Sequence, residues 1–371
     1  MKIRSKLLMI LITVGLLPVL IISLLLFTLF TNEISEASFD KLTATRDNRA
    51  MQIEDYFSFI NGQVKTMSSS TMIIDAMKEF DIAFRELNEQ VTPAQLNQAK
   101  SGVQDYISNE FVPRLEANTM KSETVDQFLT DLPATNRLQY LYIANNTNEV
   151  GSKHLLMQAS DGSRYSATHG KYHPAIKEFL EEFGYYDIFL VDIESGNIIY
   201  SVFKEADYAT SLLDGPYANT NFAMAFKEAS QATDPSTVVL KDFDFYVPSY
   251  NAPASFIASP IYDSGTKVGV LVFQMPVDKI NGIMTGDGNW EASGLGLSGE
   301  TYLVGADNRM RSISRFLVED KAGYINTLRG VGYGEDQLNS IDIMETSILY
   351  QDVNSVAAQK AISGQTGTEI V

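Results

Sequence analysis

Leu7 to Phe30 is a run of 24 residues without a charge. As a helix it is long enough to cross the ~30 Å hydrocarbon core of a bilayer with some tilt. Lys2, Arg4 and Lys6 precede it, and Glu33, Glu36 and Asp40 follow. The positive-inside bias then leaves the N-terminus in the cytoplasm and everything after Phe30 outside. A cleaved signal peptide is the competing reading. Its apolar core is usually only ~7–15 residues, and Ser35-Glu36-Ala37 makes a poor cleavage site, so an uncleaved anchor is expected.

At 371 residues the chain holds two ordinary domains and more. A hydrophobic content of 45% suits folded protein. The net charge of −18 argues against nucleic acid, because no basic surface is left to displace counterions from phosphates. With no cysteine, structural disulfides and thiolate metal sites are excluded.

From Phe39 to about Phe80 no proline interrupts the chain. Ile53, Phe57, Ile60, Val64, Met67, Thr71 and Ile74 recur at spacings of 4 and 3, a stripe on one face of a long helix. The stripe packs either on the rest of the chain or, in a homodimer, on its twin; a long helix has faces for both. Thr92-Pro93-Ala94-Gln95 spells a helix start with a capping box, and Leu96, Ala99, Val103, Tyr106 and Ile107 continue it to before Pro113. Residues 114–136 read as loop and short helix, Leu138–Ala144 as a strand, Asn145–Tyr172 as an irregular polar insertion, and Pro174–Phe183 as a helix.

Two hairpins follow. Tyr186–Val191 and Ile198–Phe203 flank a turn at Glu194-Ser195-Gly196-Asn197; Phe256–Tyr262 and Lys267–Met275 flank one at Asp263-Ser264-Gly265-Thr266. Between them lie a helical pattern around Phe222–Ala229 and a strand near Val238–Tyr246. Pro276–Met284 suits a short closing helix. This is an α+β module of sensor size.

Asp187-Ile188-Phe189-Leu190-Val191-Asp192 with Gly196 and Tyr200, then Lys204-Glu205, Asp207–Leu212, Gly215-Pro216-Tyr217 and the Gly269–Met275 strand, resembles the membrane-distal module of double Cache sensor domains. Those are the extracytoplasmic heads of methyl-accepting chemotaxis proteins and related receptors. Thr301–Ser312 repeats the strand–turn–strand theme 113 positions later, Phe189 to Tyr302. In the family, Ser298–Val304 opens the membrane-proximal module. The resemblance thus implies an α+β fold with an N-terminal transmembrane helix, a long extracytoplasmic helix, and tandem PAS-like Cache modules with antiparallel sheets, the second truncated. The implied division is a cytoplasmic 1–6, a transmembrane 7–30, a helical stalk 31–136, a distal module 137–284 and an incomplete proximal module 285–371. Further strands, a second membrane helix, a HAMP linker and a signalling helix are expected beyond Val371. The implied function is ligand sensing by a chemoreceptor in a bacterial inner membrane, with the bulk of the chain periplasmic. A histidine kinase or nucleotide cyclase output, or a structural periplasmic protein, are the alternatives. A homodimer and a small-molecule ligand are the expected partners. Cytoplasmic signalling partners are reached only through the segment beyond Val371.

Chemistry-bearing motifs are few. Gly294-Leu295-Gly296-Leu297-Ser298-Gly299 matches a dinucleotide fingerprint but runs into a strand-like Thr-Tyr-Leu-Val, where a pyrophosphate needs a helix N-terminus; linker glycine is the better reading. His169 and His173 have zinc spacing, with His154 upstream, but Gly170 between them and Pro174 after them argue for a surface loop. Asp287-Gly288-Asn289 lacks the rest of a calcium loop. No Gly-x-Ser-x-Gly elbow or phosphate loop occurs, so no catalytic residue, metal or cofactor is expected.

Ligand contacts are sought among polar groups in apolar strands. Gln274 interrupts Val270–Phe273 on the face of Val270 and Val272, and a buried amide needs a partner. Tyr246, Ser249 and Tyr250 offer hydroxyls where a lid would sit, with Ser259 on the neighbouring strand; Asp242 and Asp244 could attract a cation. The family's amino-acid-binding branch holds the ligand carboxylate with an Arg-x-Trp-Tyr motif and its amine with tyrosine and aspartate, including a late-strand aspartate. Here no arginine occurs between Arg164 and Arg309, the single tryptophan is Trp290, and Gln274 stands where that acid would be. Without a guanidinium, bidentate capture of a carboxylate in the distal module is not expected, and a neutral or amine-bearing ligand, or one bound by a partner protein, fits better. Arg309, Arg311 and Arg315 form a basic cluster, open either to an anion or to solvent.

Overall fold

The computed structural model of the chain describes residues 3–369. α1 (Ile3–Ser68) is one helix of 66 residues that carries the apolar run at its start. There its side chains are exposed on every face, as in a helix built to be buried in something other than its own chain. Farther along, the stripe packs inward. Ile60, Val64 and Met67 enter the core under the sheet, while Ile53 meets Phe243, Ile280, Met284 and Ile348. The expected continuation through Thr71 and Ile74 fails, because α1 stops at Ser68 and Ser70 caps a new helix, α2 (Thr71–Gln90). The break changes the phase, so Ile73, Ala76, Met77 and Phe80 turn inward and Thr71 is exposed.

α3 (Pro93–Tyr106) begins with the expected capping box. Gln95 N–H donates to Thr92 Oγ1 (3.3 Å) and Thr92 N–H to Gln95 Oε1 (3.0 Å). Pro113 does not end the helical path. A π-helical turn, Ile107–Phe111, leads into α4 (Val112–Thr119), which holds the proline in its first turn, where no amide bond is lost.

The structure corrects the strand read at Leu138–Ala144. α5 (Pro133–Gln139) continues there as a π-helical turn, Tyr140–Ala144. Ala134 to Gln139 are all buried, and neighbours on every side override the β propensity of Tyr140-Leu141-Tyr142-Ile143. A second correction concerns α6 (Arg164–Phe183), which runs through both Gly170 and Pro174. Burial of Tyr165, His169, Tyr172, His173, Ile176 and Leu180 along one face holds it together across the proline. His169 and His173 are consequently core residues and not part of a surface loop.

The sheet has five antiparallel strands in the order β2-β1-β5-β4-β3. β1 (Asp187–Asp192) and β2 (Ile198–Ser201) form the first hairpin, and β4 (Ala252–Asp263) and β5 (Thr266–Gln274) the second. α7 (Asn221–Gln231) and β3 (Val239–Tyr246) lie between them in sequence. Hairpin one docks its β1 on β5, with Asp187 opposite Gln274. Alternation along the strands divides two cores. Ile188, Leu190, Ile257, Ile261, Leu271 and Phe273 face α1, α2 and α6; Phe189, Val191, Phe256, Ala258, Val270 and Val272 face α7. At Gly269 the sheet comes so close to α2 that a Cβ there would collide with the Met77 side chain.

After α8 (Val277–Thr285) come turns, isolated bridges at Val304–Met310 and Arg309–Asp352, and four short helices: α9 (Arg315–Glu319), α10 (Lys321–Gly330), α11 (Glu335–Met344) and α12 (Val356–Ile362). The arginines here are committed internally. Arg311 pairs with Asp242 (3.0 Å) and Asp307 (2.9 Å), tying this part to β3. Buried Arg315 pairs with Glu319 (2.9 Å), donates to the carbonyls of Gly296 (3.0 Å) and Gly299 (2.8 Å), and lies 5.1 Å from the centre of the Trp290 ring. Arg309 stays partly exposed, 3.6 Å from Asp352, and Arg329 is exposed and pairs with Glu335 (2.7 Å).

Candidate functional site

At one end of the sheet, Gln274 closes β5 with Asp187 beside it on β1 and Phe256 on β4. Beyond them lies a polar network. Gln274 Nε2 donates to Ser249 Oγ (3.3 Å), Ser249 Oγ–H donates to Glu205 Oε2 (2.6 Å), and Tyr186 donates to Glu205 Oε1 (2.8 Å). Next to this chain, buried Tyr246 donates to Asp207 Oδ2 at 2.5 Å. Three buried oxygens here have no hydrogen-bond partner: Asp207 Oδ1, Gln274 Oε1 and the Tyr217 hydroxyl. Buried polar atoms are nearly always paired, and each orphan costs about 1–3 kcal/mol. All three belong to the surroundings of Glu205 and Asp207.

The acids reach this position because the segment after β2 is held from behind. Gln139 Nε2 donates to the carbonyls of Ala206 (3.0 Å) and Tyr208 (2.9 Å), and Thr135 Oγ1 to that of Ala209 (2.6 Å). Lys204 and Ala209, which bracket Glu205 and Asp207, both have positive φ (62° and 68°), as do Tyr250 and Asn251 (54° and 67°). Non-glycine residues in that region are held there at a cost of order 1–3 kcal/mol, which clusters at functional sites. Over the network sits a helical cap. Ile107 and Phe111 of the π turn, with Val112 and Leu115, pack on Ala206, Tyr217, Val247 and Tyr250. Asn118 Nδ2 donates to the Tyr250 carbonyl (2.9 Å). Tyr186, which donates to Glu205, keeps part of its ring in solvent.

Burial dominates the electrostatics. It pushes Asp207 up to about 7, opposed by the Tyr246 bond, and holds Glu205 well above the ordinary carboxyl range, with Asp207 adding to the rise. Asp187 is raised to about 6 by burial, against hydrogen bonds from Ser201 Oγ and the amides of Ile188, Val202 and Phe203. The nearby cation is Lys204, lowered to about 7 by burial. Its Nζ donates to the Val202 carbonyl (2.9 Å) and lies over the Tyr142 and Tyr200 rings, on the opposite side of Asp187's strand from the acids.

Of the residues singled out in the sequence, Tyr246, Ser249 and Gln274 come together in the network, with Tyr250 at its rim against Tyr106 and Phe111. Ser259 does not. It lies with Ile257 and Ile261 on the other face, bonded to Ser68 Oγ and the Thr237 carbonyl (both 3.0 Å). Asp244 is exposed and its Oδ1 accepts only from the adjacent Phe245 amide (2.8 Å), and Asp242 is taken by Arg311. Glu205, Asp207 and Tyr217 were not anticipated as site residues. The available signal was two acids, two apart, in an aromatic stretch whose one lysine points away.

A second buried polar group lies on the α6 side. His173 Nε2–H donates to the His154 carbonyl (2.8 Å) and its Nδ1 accepts from Tyr200 (2.7 Å); His169 Nδ1–H donates to the Met157 carbonyl (2.6 Å). Burial holds His169 well below the usual imidazole range and His173 at about 2. Both rings are neutral, and His169 Nε2 has no hydrogen-bond partner. Among the described residues no three His, Asp or Glu side chains gather as metal ligands.

No family model and no curated protein matches the chain. Among solved structures it is similar to the isoleucine-bound sensory domain of the Campylobacter jejuni chemoreceptor Tlp3, at 13% identity over 72% of this chain and 82% of that one, with a TM-score of 0.28. It is also similar to the ligand-binding domain of the Pseudomonas aeruginosa amino-acid chemoreceptor PctC in complex with GABA (12%, 59% and 73%, TM-score 0.25). A third is the sensor domain of the V. cholerae histidine kinase DctB (16%, 51% and 59%, TM-score 0.25). Superpositions this loose carry no inference about function, which rests on the chain's own geometry.

Proposed function

We propose that this chain is the anchored sensor part of a bacterial receptor of the double Cache type, and that it binds a small solute between the sheet end and the helical cap. The observation that carries this reading is the trio of unpartnered oxygens, on Asp207, Gln274 and Tyr217, enclosed beneath that cap. A purely structural protein gains nothing from leaving them unpaired, whereas a sensor recovers the cost when its ligand arrives. The apolar segment 7–30 serves as the membrane anchor, with residues 31–136 leading to a distal module, 137–284, and a proximal one from 285 onward. Chemotaxis is the favoured output, with a kinase or cyclase as the alternative, and the long helix offers a face for a twin copy.

The test is ligand-dependent stabilisation of the detergent-solubilised chain, screened against amino acids, amines, purines and organic acids. At least one class raises the melting temperature, and Gln274→Leu or Asp207→Asn abolishes the rise while the protein stays folded. If no solute stabilises the folded chain, or if the rise survives both substitutions, the reading fails.

A further inference from the structure

We infer that the solute is an organic cation, a primary ammonium compound without a carboxylate, and that its entry displaces a proton from the Glu205–Asp207 pair. The inference rests on the reading of this network as the ligand site and narrows it to a chemical class. Asp207 Oδ1 and Gln274 Oε1 are both unpartnered; an amide oxygen only accepts hydrogen bonds, and so does the Asp207 carboxylate once it is ionised. Their occupant must therefore donate. An ammonium head offers three N–H donors and no acceptor. Anionic heads are refused by the same atoms.

The surrounding charges agree. Glu205 and Asp207 face the site, Asp187 lies behind them on β1, and Lys204 is turned to the Val202 carbonyl across the sheet. From the cap, Glu110 and Arg114 pair with each other at 3.2 Å on the outer surface near Tyr250. Among the described residues no guanidinium bonds to Glu205, Asp207 or Gln274. The other titratable groups around the acids are Tyr106, Tyr186, Tyr217, Tyr246 and Tyr250, all raised by burial and neutral, and their rings give a cation an aromatic wall. A divalent metal is the poorer fit, because no third carboxylate or histidine joins the pair as a ligand among the described residues.

The position of this pair differs from what the resemblance implies. Charge comes from the segment after β2 and not from the late strand, where Gln274 stands. Without a ligand, burial leaves Asp207 with a proton for much of the time near neutrality. When the ammonium enters, Asp207 ionises against it and the proton leaves to solvent. Charge balances as one cation taken up and one proton released.

Isothermal titration of the solubilised chain with ethylamine, ethanolamine and 1,4-diaminobutane tests this, using ethanol, 1,4-butanediol and succinate as neutral and anionic counterparts. Each titration is run in two buffers of different ionisation enthalpy. The expected result is binding by an amine alone, with up to one proton released at pH 6 and fewer at pH 8. Affinity rises up to about tenfold per pH unit below ~7 and then levels. Asp207→Asn should weaken binding by at least about 30-fold and remove the proton release, while Gln274→Glu strengthens it. If a diol or dicarboxylate binds and Gln274→Leu abolishes that binding, the site stands and the cation class is overturned. If an amine binds equally to Asp207→Asn and Gln274→Leu, the site itself is wrong. If no amine binds while the wider screen finds a stabilising solute, the cation class again fails and the sensor reading survives.

Discussion

The Tyr246 hydroxyl donates to one oxygen of Asp207 and leaves the other with no partner. Half of a buried carboxyl is thus fixed by the protein and half is open. Tyr246→Phe removes the fixed half. Ligand-free stability should fall by about 1–3 kcal/mol, the cost of an unpaired buried group. Chemical unfolding of the solubilised variant and parent at pH 7 measures it.

Asp207 also sets a pH slope. Its folded value of about 7 lies above the unfolded 3.8, so between those limits the folded state holds the proton more tightly. Asp207's own contribution to ligand-free stability therefore falls as pH rises from 4 to 7, by on the order of 4 kcal/mol at 1.36 kcal/mol per pKa unit. Asp207→Asn should remove only Asp207's share of the slope, leaving the shares of Asp187 and Glu205, and should melt higher than the parent at pH 7.5. A variant that melts lower, or whose slope equals the parent's, would place this raised acid elsewhere.

His173 acts in the opposite direction. Its folded value of about 2 is below the ordinary 6.5, so its contribution is complete above pH 6.5 and is lost on acidification. The loss at pH 5 is roughly 2 kcal/mol. His173→Gln costs about 1–3 kcal/mol at pH 7.5, through the bonds to Tyr200 and the His154 carbonyl. The gap between parent and variant should narrow by roughly 2 kcal/mol at pH 5. Paired unfolding curves at the two pH values decide it.

Arg315 and Trp290 provide a local probe, because the chain has a single tryptophan. Arg315→Met leaves the Gly296 and Gly299 carbonyls and Glu319 without their donor. The 286–300 segment should loosen by about 3 kcal/mol, with a red shift of the Trp290 emission and faster proteolysis there. Emission unchanged from the parent would show that the segment is held by other contacts.

Much of the sheet was legible in the sequence, because both hairpins carry their turn chemistry locally and the face of Gln274 follows from alternation alone. What was hidden depends on distant partners. Leu138–Ala144 has strand residues but becomes helix by being enclosed, and α6 survives Pro174 because its buried face outweighs one missing bond. The site was half legible for the same reason. Gln274, Tyr246 and Ser249 stand out as polar groups in or beside apolar strands, whereas Glu205 and Asp207 look like ordinary solvated acids. Only the fold shows that Gln139 and Thr135 draw their backbone beneath the cap.

α1 has one further consequence. At 1.5 Å per residue its 66 residues form a strut of about 99 Å, with one end among the side chains beneath the sheet and the other in the apolar segment. Pro18 is the single proline along it, and it falls inside that segment. The span from Phe30 to Ser68 has no proline joint, so a sub-ångström slide or a few degrees of roll at Val64 and Met67 would arrive at Phe30 nearly undiminished. On the sensor reading proposed above, such a shaft would act as a pushrod, and its stiffness, more than any large rearrangement, would set how faithfully the far end follows the near one.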